Sequence, residues 1–599
     1  MRIASIDVSN YRALRNASLT LSATTALIGE NNCGKSAFLS AIDLFFSSSP
    51  RIKARDFSDS NLDEPIDITL HFKDFTPDDH IEFDEYLLDG ELIVTRRFYS
   101  SSGKESGKYF VSARVNHDFE SCREEEKATA KRARYKELQE RYSLKDVKSA
   151  DEIEANLAEW EAANYGNLKV SKIANFKGWT NVASGKLRQK TDFVFIRAVE
   201  DAAENIQENK NSPVKSLLNT IAKQAIENSS TFKEFMQTAN IKIAELTDPS
   251  TVPVLAEISS QLTNTLSNYY KDSGINATWD PITQIQPSFP SANIEVIDNG
   301  FANTIDGVGH GLQRAVILTV LQFMAEHRAK QSLSGDKFSE PQSDLILAIE
   351  EPEIYQHPIK QRLFSKLLRS LATGFNELSG IRVQIIYVTH SPLMVSLSNC
   401  ETIRMIRRVN TKEGRNVRPS SIDLADCSKT IASLSGLAPE QAWSADNFAA
   451  KLHIFRPEIA EGFFGSKVVL VEGVGDEAVL NAWYKIADRD PHAEGIVIVG
   501  VGGKNNLSKV ITIFSSLGIP CYWIFDNDQK KNRDDASRKE SIATNKLLQR
   551  LAGLATVPIT IQNGGPFDPP FHFQCIAGSC PAILGERIAP TPPRSPRLP

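Results

Sequence analysis

The sequence predicts an α/β protein made of two successive parallel sheets, each covered by helices. Short apolar runs, typical of strands buried on both faces, recur along the 599-residue chain. The positions where these runs end are the most informative. The run "TALI" enters the glycine-rich "GENNCGKS" (29–36), and later runs end at "EEPE" (350–353), "THSP" (389–392) and "DND" (526–528).

Composition sets outer limits on function. Hydrophobic residues make up 41% and charged residues 24%, as in ordinary globular proteins. The formal net charge of -6 excludes a generic polycation, so any nucleic-acid binding needs a local basic surface or metal ions. We find no signal peptide or membrane-spanning run, and the seven cysteines are scattered singly. These features predict a cytoplasmic protein with no membrane partner.

The elements follow in order. "RIASIDVSNYRAL" and "NASLTLSATTALI" alternate like strands, "KSAFLSAIDLFF" has helical spacing, and "IDITLHF" and "ELIVTRRFY" are strands again. Residues 121–165 are rich in charge and helix formers, which predicts a long polar helix or a hairpin of two. "TDFVFIRAVED" (191–201) returns briefly to a strand, and residues 203 to about 275 are again helical.

These changes in composition and predicted secondary structure divide the chain into six predicted segments. They are 1–118, the first part of a nucleotide-binding α/β domain; 119–285, a mainly helical insertion and candidate dimerisation region; 286–410, the second part of the nucleotide-binding domain; 411–460, a connector; 461–557, a second α/β domain; and 558–599, a Pro/Gly-rich tail predicted to lack fixed structure.

The loop 29–36 fits G-x-x-x-x-G-K-[ST] between a strand and a helix. Loop amides and a helix N-terminus in this arrangement face phosphates. Lys35 would reach the β- and γ-phosphates, and the Ser36 hydroxyl would bind Mg²⁺. The predicted nucleotide-binding residues of the loop are Gly29, Asn31, Asn32, Cys33, Gly34, Lys35 and Ser36. A chance glycine turn is the alternative, and the flanking strand and helix argue against it.

Two later strand ends supply acids and a histidine. Glu350 would organise Mg²⁺, and Glu351 could orient or deprotonate the attacking water. His390 could contact the γ-phosphate or that water. Taken alone, Glu350 and Glu351 could instead cap a helix, and His390 could have a purely structural role. Three apolar strands that each end in a suitable polar group, in this order, favour an ATP-hydrolysing site.

A glycine-rich turn opens a helix in "DGVGHGLQRAVILTVLQ" (306–322). Together with the loop 29–36, "EEPE" and "THSP", it resembles the ABC-type ATPases, in the branch that includes structural-maintenance-of-chromosomes proteins. The resemblance implies that Gly309, His310 and Gly311 clamp ATP bound to the opposite subunit of a homodimer or higher oligomer. Many relatives carry Ser in place of His310. It also implies that the insertion carries arms or dimer contacts.

The second α/β unit holds another set of acids. Glu472 ends a strand, Asp476 opens the next helix, and Asp526 and Asp528 end a later strand. The ends of parallel strands share one edge of a sheet, so Glu472, Asp526 and Asp528 should lie close together. Such hard oxygen ligands suit Mg²⁺ or Mn²⁺, and two ions there could promote phosphodiester cleavage. Isolated surface carboxylates are the alternative.

The basic run Lys530, Lys531 and Arg533 follows these acids, and phosphate contact and a plain solvated loop are equally good interpretations of it. The pattern "VEG–D … GG … DND" resembles the Toprim domain. An ABC-type ATPase followed by Toprim is the layout of the OLD (overcoming lysogenization defect) family of ATP-linked nucleases. The resemblance implies DNA nicking or cleavage at Glu472, Asp476, Asp526 and Asp528, regulated by the ATPase, and a role in anti-phage defence or DNA processing.

One departure from that family leaves a second hypothesis open. Family members continue past the paired acids with further acidic ligands and a lysine, whereas this chain turns into the Pro/Gly-rich tail; Lys530, Lys531 and Lys546 are the nearest lysines. The alternative function is therefore an ATP-gated sensor or scaffold with an impaired Toprim site, acting with a neighbouring defence protein. A repair ATPase would leave the four acids unexplained, and primase or topoisomerase modules are missing.

Overall fold

The computed structural model describes most of the chain. The described residues are 1–47, 50–100, 107–123, 128–147, 150–164, 169–174, 187, 190–198, 218–219, 222–223, 226, 229–247, 253–267, 275, 287, 289, 295–298, 300–304, 307–308, 312, 315–317, 319–320, 343–354, 356–372, 375–376, 381–411, 414–526, 535–553 and 573–577.

A first sheet is formed mainly by the N-terminal part of the chain. Its strand order is β2-β1-β4-β5-β6-β7, with every pair antiparallel. The strands are β1 (Arg2–Tyr11), β2 (Leu14–Thr20), β4 (Ile66–Lys73), β5 (Leu92–Phe98), β6 (Lys108–Val115) and β7 (Lys169–Ala174). Burial alternates along β4, so one face of this sheet packs on the core. The strand β7 lies inside the predicted insertion 119–285.

A second sheet carries the glycine-rich loop. Its order is β15-β14-β3-β13-β11-β8. Each neighbouring pair from β14 along to β8 is parallel. The strands are β3 (Thr24–Ile28), β8 (Thr191–Ile196), β11 (Ser343–Glu350), β13 (Ile381–Val388), β14 (Ile403–Thr411) and β15 (Gly414–Ser421), and the short β12 (Phe375–Asn376) pairs with β13. The predicted strand in 191–201 is thus present over its first six residues as β8, and it joins the second sheet beside β11.

Helices pack against the sheets, and several of them lie in the described part of the insertion. They are α1 (Lys35–Phe46), α2 (Pro77–Phe83), α3 (His117–Arg123), α4 (Ala128–Tyr142), α5 (Ala150–Ala163), α6 (Ser230–Thr247), α7 (Pro253–Ser267), α8 (Pro358–Ala372), α9 (Leu424–Ser435), α10 (Ala445–Ala450), α11 (Val474–Ile486), α12 (Lys504–Ser516) and α13 (Asp535–Leu551). The polar stretch 121–165 thus contains more than one helix, and α3 to α5 share a small core of their own. Among the described residues, no helix is long and apolar enough to cross a membrane.

A third sheet follows the connector, in the order β17-β16-β18-β19. The strands are β16 (Lys467–Val471), β17 (Ile496–Gly500), β18 (Cys521–Asp526) and β19 (Phe573–Ala577). The first three are parallel, and β19 pairs antiparallel with β18. This strand lies within the predicted tail 558–599, and the remainder of that segment lies outside the described residues. A separate hairpin joins β9 (Glu295–Asp298) and β10 (Phe301–Thr304).

Opposite faces of the second sheet enter different cores. Leu27, Ile346 and Ile386 pack against α1 and the first sheet. Leu347 and Ile385 belong to a core that continues without interruption through the connector into the third sheet. The second and third sheets are therefore parts of one packed body.

The C-terminal end of α1 is held by a buried arginine. Arg96 of β5 is 2% exposed, and its Nη1 donates hydrogen bonds to the carbonyl oxygens of Leu44, Phe45 and Ser47 at 2.7–2.9 Å. The Tyr109 hydroxyl donates to the Phe45 carbonyl at 2.6 Å. These donors satisfy carbonyl groups that a helix end otherwise leaves unpaired, and they fix the helix whose other end forms the glycine-rich loop.

Replacing Arg96 with Met should lower the free energy of unfolding by about 3 kcal/mol, because three buried carbonyl oxygens lose a charged donor. Arg97, the next residue, pairs with Asp67 at 2.7 Å on the more exposed face. The Arg97→Met control should therefore cost about 1 kcal/mol or less. Thermal unfolding midpoints measure both variants. Equal shifts would show that capping of α1 contributes little.

Candidate functional site

Neighbouring parallel strands bring the first set of site residues to one edge. In the register of the second sheet, Glu350 lies opposite Val388, and Val388 lies opposite Leu27. The Glu351 amide donates to the Val388 carbonyl at 2.9 Å, beyond the last residue of β11. The loop after β3, the acids after β11 and the histidine after β13 therefore meet, as the order of the strands predicted.

The loop 29–36 is tightly packed against β14. Gly29 has a φ of +143°, and a Cβ atom there would lie 2.2 Å from the Ile406 carbonyl oxygen, so only glycine fits. Gly34 precedes α1 with a φ of +103°. Cys33 and Gly34 are buried, whereas Asn31, Asn32 and Ser36 are exposed. The loop is thus an open cradle at the start of a helix, which fits a nucleotide phosphate.

Lys35 lies within this cradle. Its side chain is buried, and its Nζ donates to the carbonyl oxygens of Gly29 at 2.9 Å and Glu30 at 2.6 Å. Burial lowers the pKa of Lys35, and the nearby Glu351 carboxylate opposes that effect. The ammonium group is therefore held inside the loop by main-chain oxygens, where it can approach a phosphate.

The acids and the histidine have distinct surroundings. Glu350 Oε2 accepts a hydrogen bond from the Ala198 amide at 3.3 Å. Glu351 has a φ of +43°, a left-handed backbone that is uncommon for a residue with a side chain and that often marks functional sites. Burial, aided by the Lys35 charge, lowers the pKa of His390, which favours a neutral imidazole at neutral pH.

Gly309, His310 and Gly311 lie outside the described residues.

The second set of site residues meets at the edge of the third sheet. The Asp526 amide donates to Glu472 Oε1 at 2.7 Å, so the ends of β16 and β18 lie together as predicted. Asp476 accepts a hydrogen bond from the Gly473 amide at 3.0 Å, in the first turn of α11. Asp528 and the basic run Lys530, Lys531 and Arg533 lie outside the described residues.

A lysine that the sequence did not single out lies at this edge. Lys504 is the first residue of α12 and is 8% exposed, and its Nζ donates to the Asp526 carbonyl oxygen at 2.7 Å. The Gly503 amide next to it donates to the Glu472 carbonyl at 2.7 Å. Its position directly after two glycines that follow a strand was the available signal. Lys546, by contrast, is exposed on α13.

The chemistry of this edge suits a hard cation. The Glu472 carboxylate accepts from the main-chain amide of Asp526, and the buried Lys504 ammonium donates to the carbonyl of the same residue. In the part of the chain that the structure describes, no group of three or more His, Cys, Asp or Glu side chains is arranged to hold a metal ion. The described pair supplies oxygen ligands of the required type, and Asp528 is the further acid that the sequence offers.

Adjacent residues of β14 contact the glycine-rich loop and the third sheet. Arg408 Nη2 donates to the Asn32 carbonyl in the glycine-rich loop. Arg407 Nη1 donates to the Gly518 carbonyl, in the turn between α12 and β18. Consecutive residues of a strand point to opposite faces, so one strand contacts both the glycine-rich loop and the turn that leads into β18, at the end of that strand opposite Asp526.

Family models match both parts of the chain. Residues 1–395 match the AAA ATPase domain model, and residues 463–528 match the model described as "Overcoming lysogenization defect protein-like, TOPRIM domain". The first match covers the first sheet and the second sheet up to β13, and the second match covers β16, β17 and β18, in the order that the motifs predicted.

Three proteins are similar to this chain over most of their length. The Old nuclease of Escherichia phage P2 is 24% identical over 560 residues, covering 91% of this chain and 80% of the relative. The OLD nuclease of Thermus scotoductus is 22% identical over 564 residues, covering 91% and 86%. Endonuclease GajA of Bacillus cereus is 22% identical over 593 residues, covering 92% and 78%.

Proposed function

The chain belongs to the AAA ATPase domain family and carries an overcoming-lysogenization-defect-like TOPRIM domain, and from this premise we propose that it is an ATP-regulated, divalent-metal-dependent DNA endonuclease. The observation that carries the proposal is the contact of Glu472 with the Asp526 amide, beside the buried Lys504, at the edge of the third sheet. The names of the three relatives, all nucleases, support it.

At the ATP site, each residue has a proposed role. Lys35 and the amides of the loop 29–36 bind the β- and γ-phosphates, and Ser36 and Glu350 hold Mg²⁺. Glu351 accepts a proton from the attacking water, or orients it. His390 donates a hydrogen bond to the γ-phosphate or the water. In the proposed homodimer, Gly309, His310 and Gly311 reach the ATP of the partner subunit.

At the TOPRIM site, Glu472, Asp526 and Asp528 would hold Mg²⁺ or Mn²⁺, with Asp476 as a further ligand or a support for the helix start. A divalent ion bound there activates water and stabilises the leaving oxygen of a phosphodiester. Lys504 offsets the negative charge that DNA and the carboxylates bring together and anchors the carbonyl of Asp526. The proposed setting is the cytoplasm, in anti-phage defence or DNA processing.

The test is conversion of supercoiled plasmid to open-circular or linear DNA. Wild type is incubated with Mg²⁺, Mn²⁺ or EDTA, with and without ATP, and beside the Lys35→Ala variant. We expect metal-dependent cutting that EDTA abolishes, and an altered ATP response in Lys35→Ala. The direction of that change gives the sign of ATP control.

The alternative is an ATP-gated sensor or scaffold that acts with a partner protein. Under that alternative, wild type hydrolyses ATP yet leaves plasmid intact with every metal. That result would contradict the proposed endonuclease activity but not the proposed ATP hydrolysis.

A further inference from the structure

Glu353 bridges the two strand ends that carry the proposed water-activating groups. It lies two residues after Glu351, in the turn that follows β11. Its Oε1 accepts a hydrogen bond from the main-chain amide of His390, in the turn that follows β13, at 2.7 Å. This carboxylate is therefore a direct link between the Glu351 turn and the His390 turn.

The surroundings of Glu353 are unusual for a carboxylate. The other oxygen, Oε2, is buried and has no hydrogen-bond partner among the described residues. Burial raises the pKa of the Glu353 carboxyl and the Glu351 charge adds to that effect, whereas hydrogen bonds from main-chain amides, including that of His390, and from the Thr389 side chain oppose it. A buried carboxylate without full hydrogen bonding is destabilising, so a residue placed this way calls for a functional explanation.

A second bridge runs parallel to the first. Gln361 of α8 donates from Nε2 to the Gln356 carbonyl at 3.0 Å, in the same turn as Glu353. Its Oε1 accepts a hydrogen bond from the Ser391 hydroxyl at 2.7 Å. The His390 amide is thus tied directly to the turn that follows Glu351, and the Ser391 hydroxyl is tied to the same turn through Gln361.

We propose that Glu353 is a positioning residue for ATP hydrolysis, which fixes the main chain of His390 and so places its imidazole beside Glu351. The inference rests on the proposed role of His390 in hydrolysis. Glu353 itself does not need to contact the nucleotide. Loss of a group that positions another is expected to reduce the rate of the chemical step more than substrate binding.

The experiment is a double-mutant cycle on ATP hydrolysis in the full chain. Glu353→Met keeps the length of the side chain and removes the acceptor, whereas Glu353→Gln retains an oxygen that can accept from the His390 amide. We expect Glu353→Met to lower kcat by about 10- to 100-fold with little change in KM. Glu353→Gln should stay within about threefold of wild type, because its hydrogen bond is preserved.

The cycle is completed by His390→Ala and by His390→Ala combined with Glu353→Met. If Glu353 acts through His390, adding Glu353→Met to His390→Ala causes no further loss. The same fold loss in both backgrounds, or equal losses for Met and Gln, would overturn the inference. A normal rate in His390→Ala would instead overturn the proposed role of His390, and the inference with it. Thermal midpoints confirm folding, and Glu353→Ala replaces Glu353→Met if the latter does not fold.

Discussion

Glu351→Gln should bind ATP with near-normal affinity and hydrolyse it about 10²- to 10⁴-fold more slowly than wild type. The substitution keeps the size of the side chain and its hydrogen-bonding oxygen but removes the basic carboxylate. Glu351 is placed for this role by its left-handed backbone and by the hydrogen bond from its amide to Val388. Its charge also influences the pKa values of both Lys35 and His390.

Phosphate release under single-turnover and steady-state conditions measures the effect, and a fluorescent ATP analogue measures binding. Glu440→Gln is a suitable control, because that exposed carboxylate lies in the connector, in the short helical turn Pro439–Gln441. It should hydrolyse ATP at the wild-type rate. If Glu351→Gln retained more than about a tenth of the wild-type rate, a general-base role for Glu351 would be ruled out.

The Glu351→Gln variant also tests whether two subunits associate through bound ATP. A subunit that holds ATP without hydrolysing it should populate the ATP-bridged state, so its mass by light scattering should rise when ATP is added. Lys35→Ala, which removes the phosphate-binding ammonium, should show no such rise. An unchanged mass for Glu351→Gln with ATP would contradict the proposed ATP-bridged homodimer.

Local sequence patterns predicted the parts of the fold that are determined by residues close together in the sequence. The strand–loop–helix unit around Lys35 could be identified because glycine spacing and apolar periodicity are local signals. The proximity of Glu472 and Asp526 could also be predicted, because parallel strands align their carboxyl ends.

Glu353 and Lys504 were missed for one common physical reason. Each contacts a main-chain group: the amide of His390, 37 residues away, and the carbonyl of Asp526, 22 residues away. A main-chain partner leaves no characteristic side chain in the sequence. The same holds for Arg96, whose partners are the carbonyl oxygens at the end of α1. Buried charges with main-chain partners therefore become visible only when the fold is known.

The position of "TDFVFI" in the second sheet could not be predicted, for a different reason. The strand itself was predicted, but its pairing beside β11 depends on a contact with Leu345 and its neighbours, about 150 residues later. Long-range pairing of this kind carries no local periodic signal.

The contacts of β14 give a physical reason to expect that nucleotide affects DNA cutting. Arg408 bonds the loop that holds phosphate, and Arg407 bonds the turn that leads into β18, the strand that ends at Asp526. The two sheets also share one continuous core. A change in the loop around Asn32 therefore bears on a strand that contacts the third sheet at the start of β18.

Asp526→Asn should abolish plasmid cleavage, with a rate at least about 10²-fold below wild type, while ATP hydrolysis stays within about twofold. The amide is nearly isosteric, and the main-chain contacts of residue 526 with Glu472 and Lys504 do not require its carboxylate. The loss would therefore report on charge at the metal site. Asp488→Asn is the matched control: it removes an exposed carboxylate from the same domain, and its φ of +54° suits asparagine. Equal cutting by both variants would show that Asp526 is not a metal ligand, whereas equal loss would point to a general effect of charge.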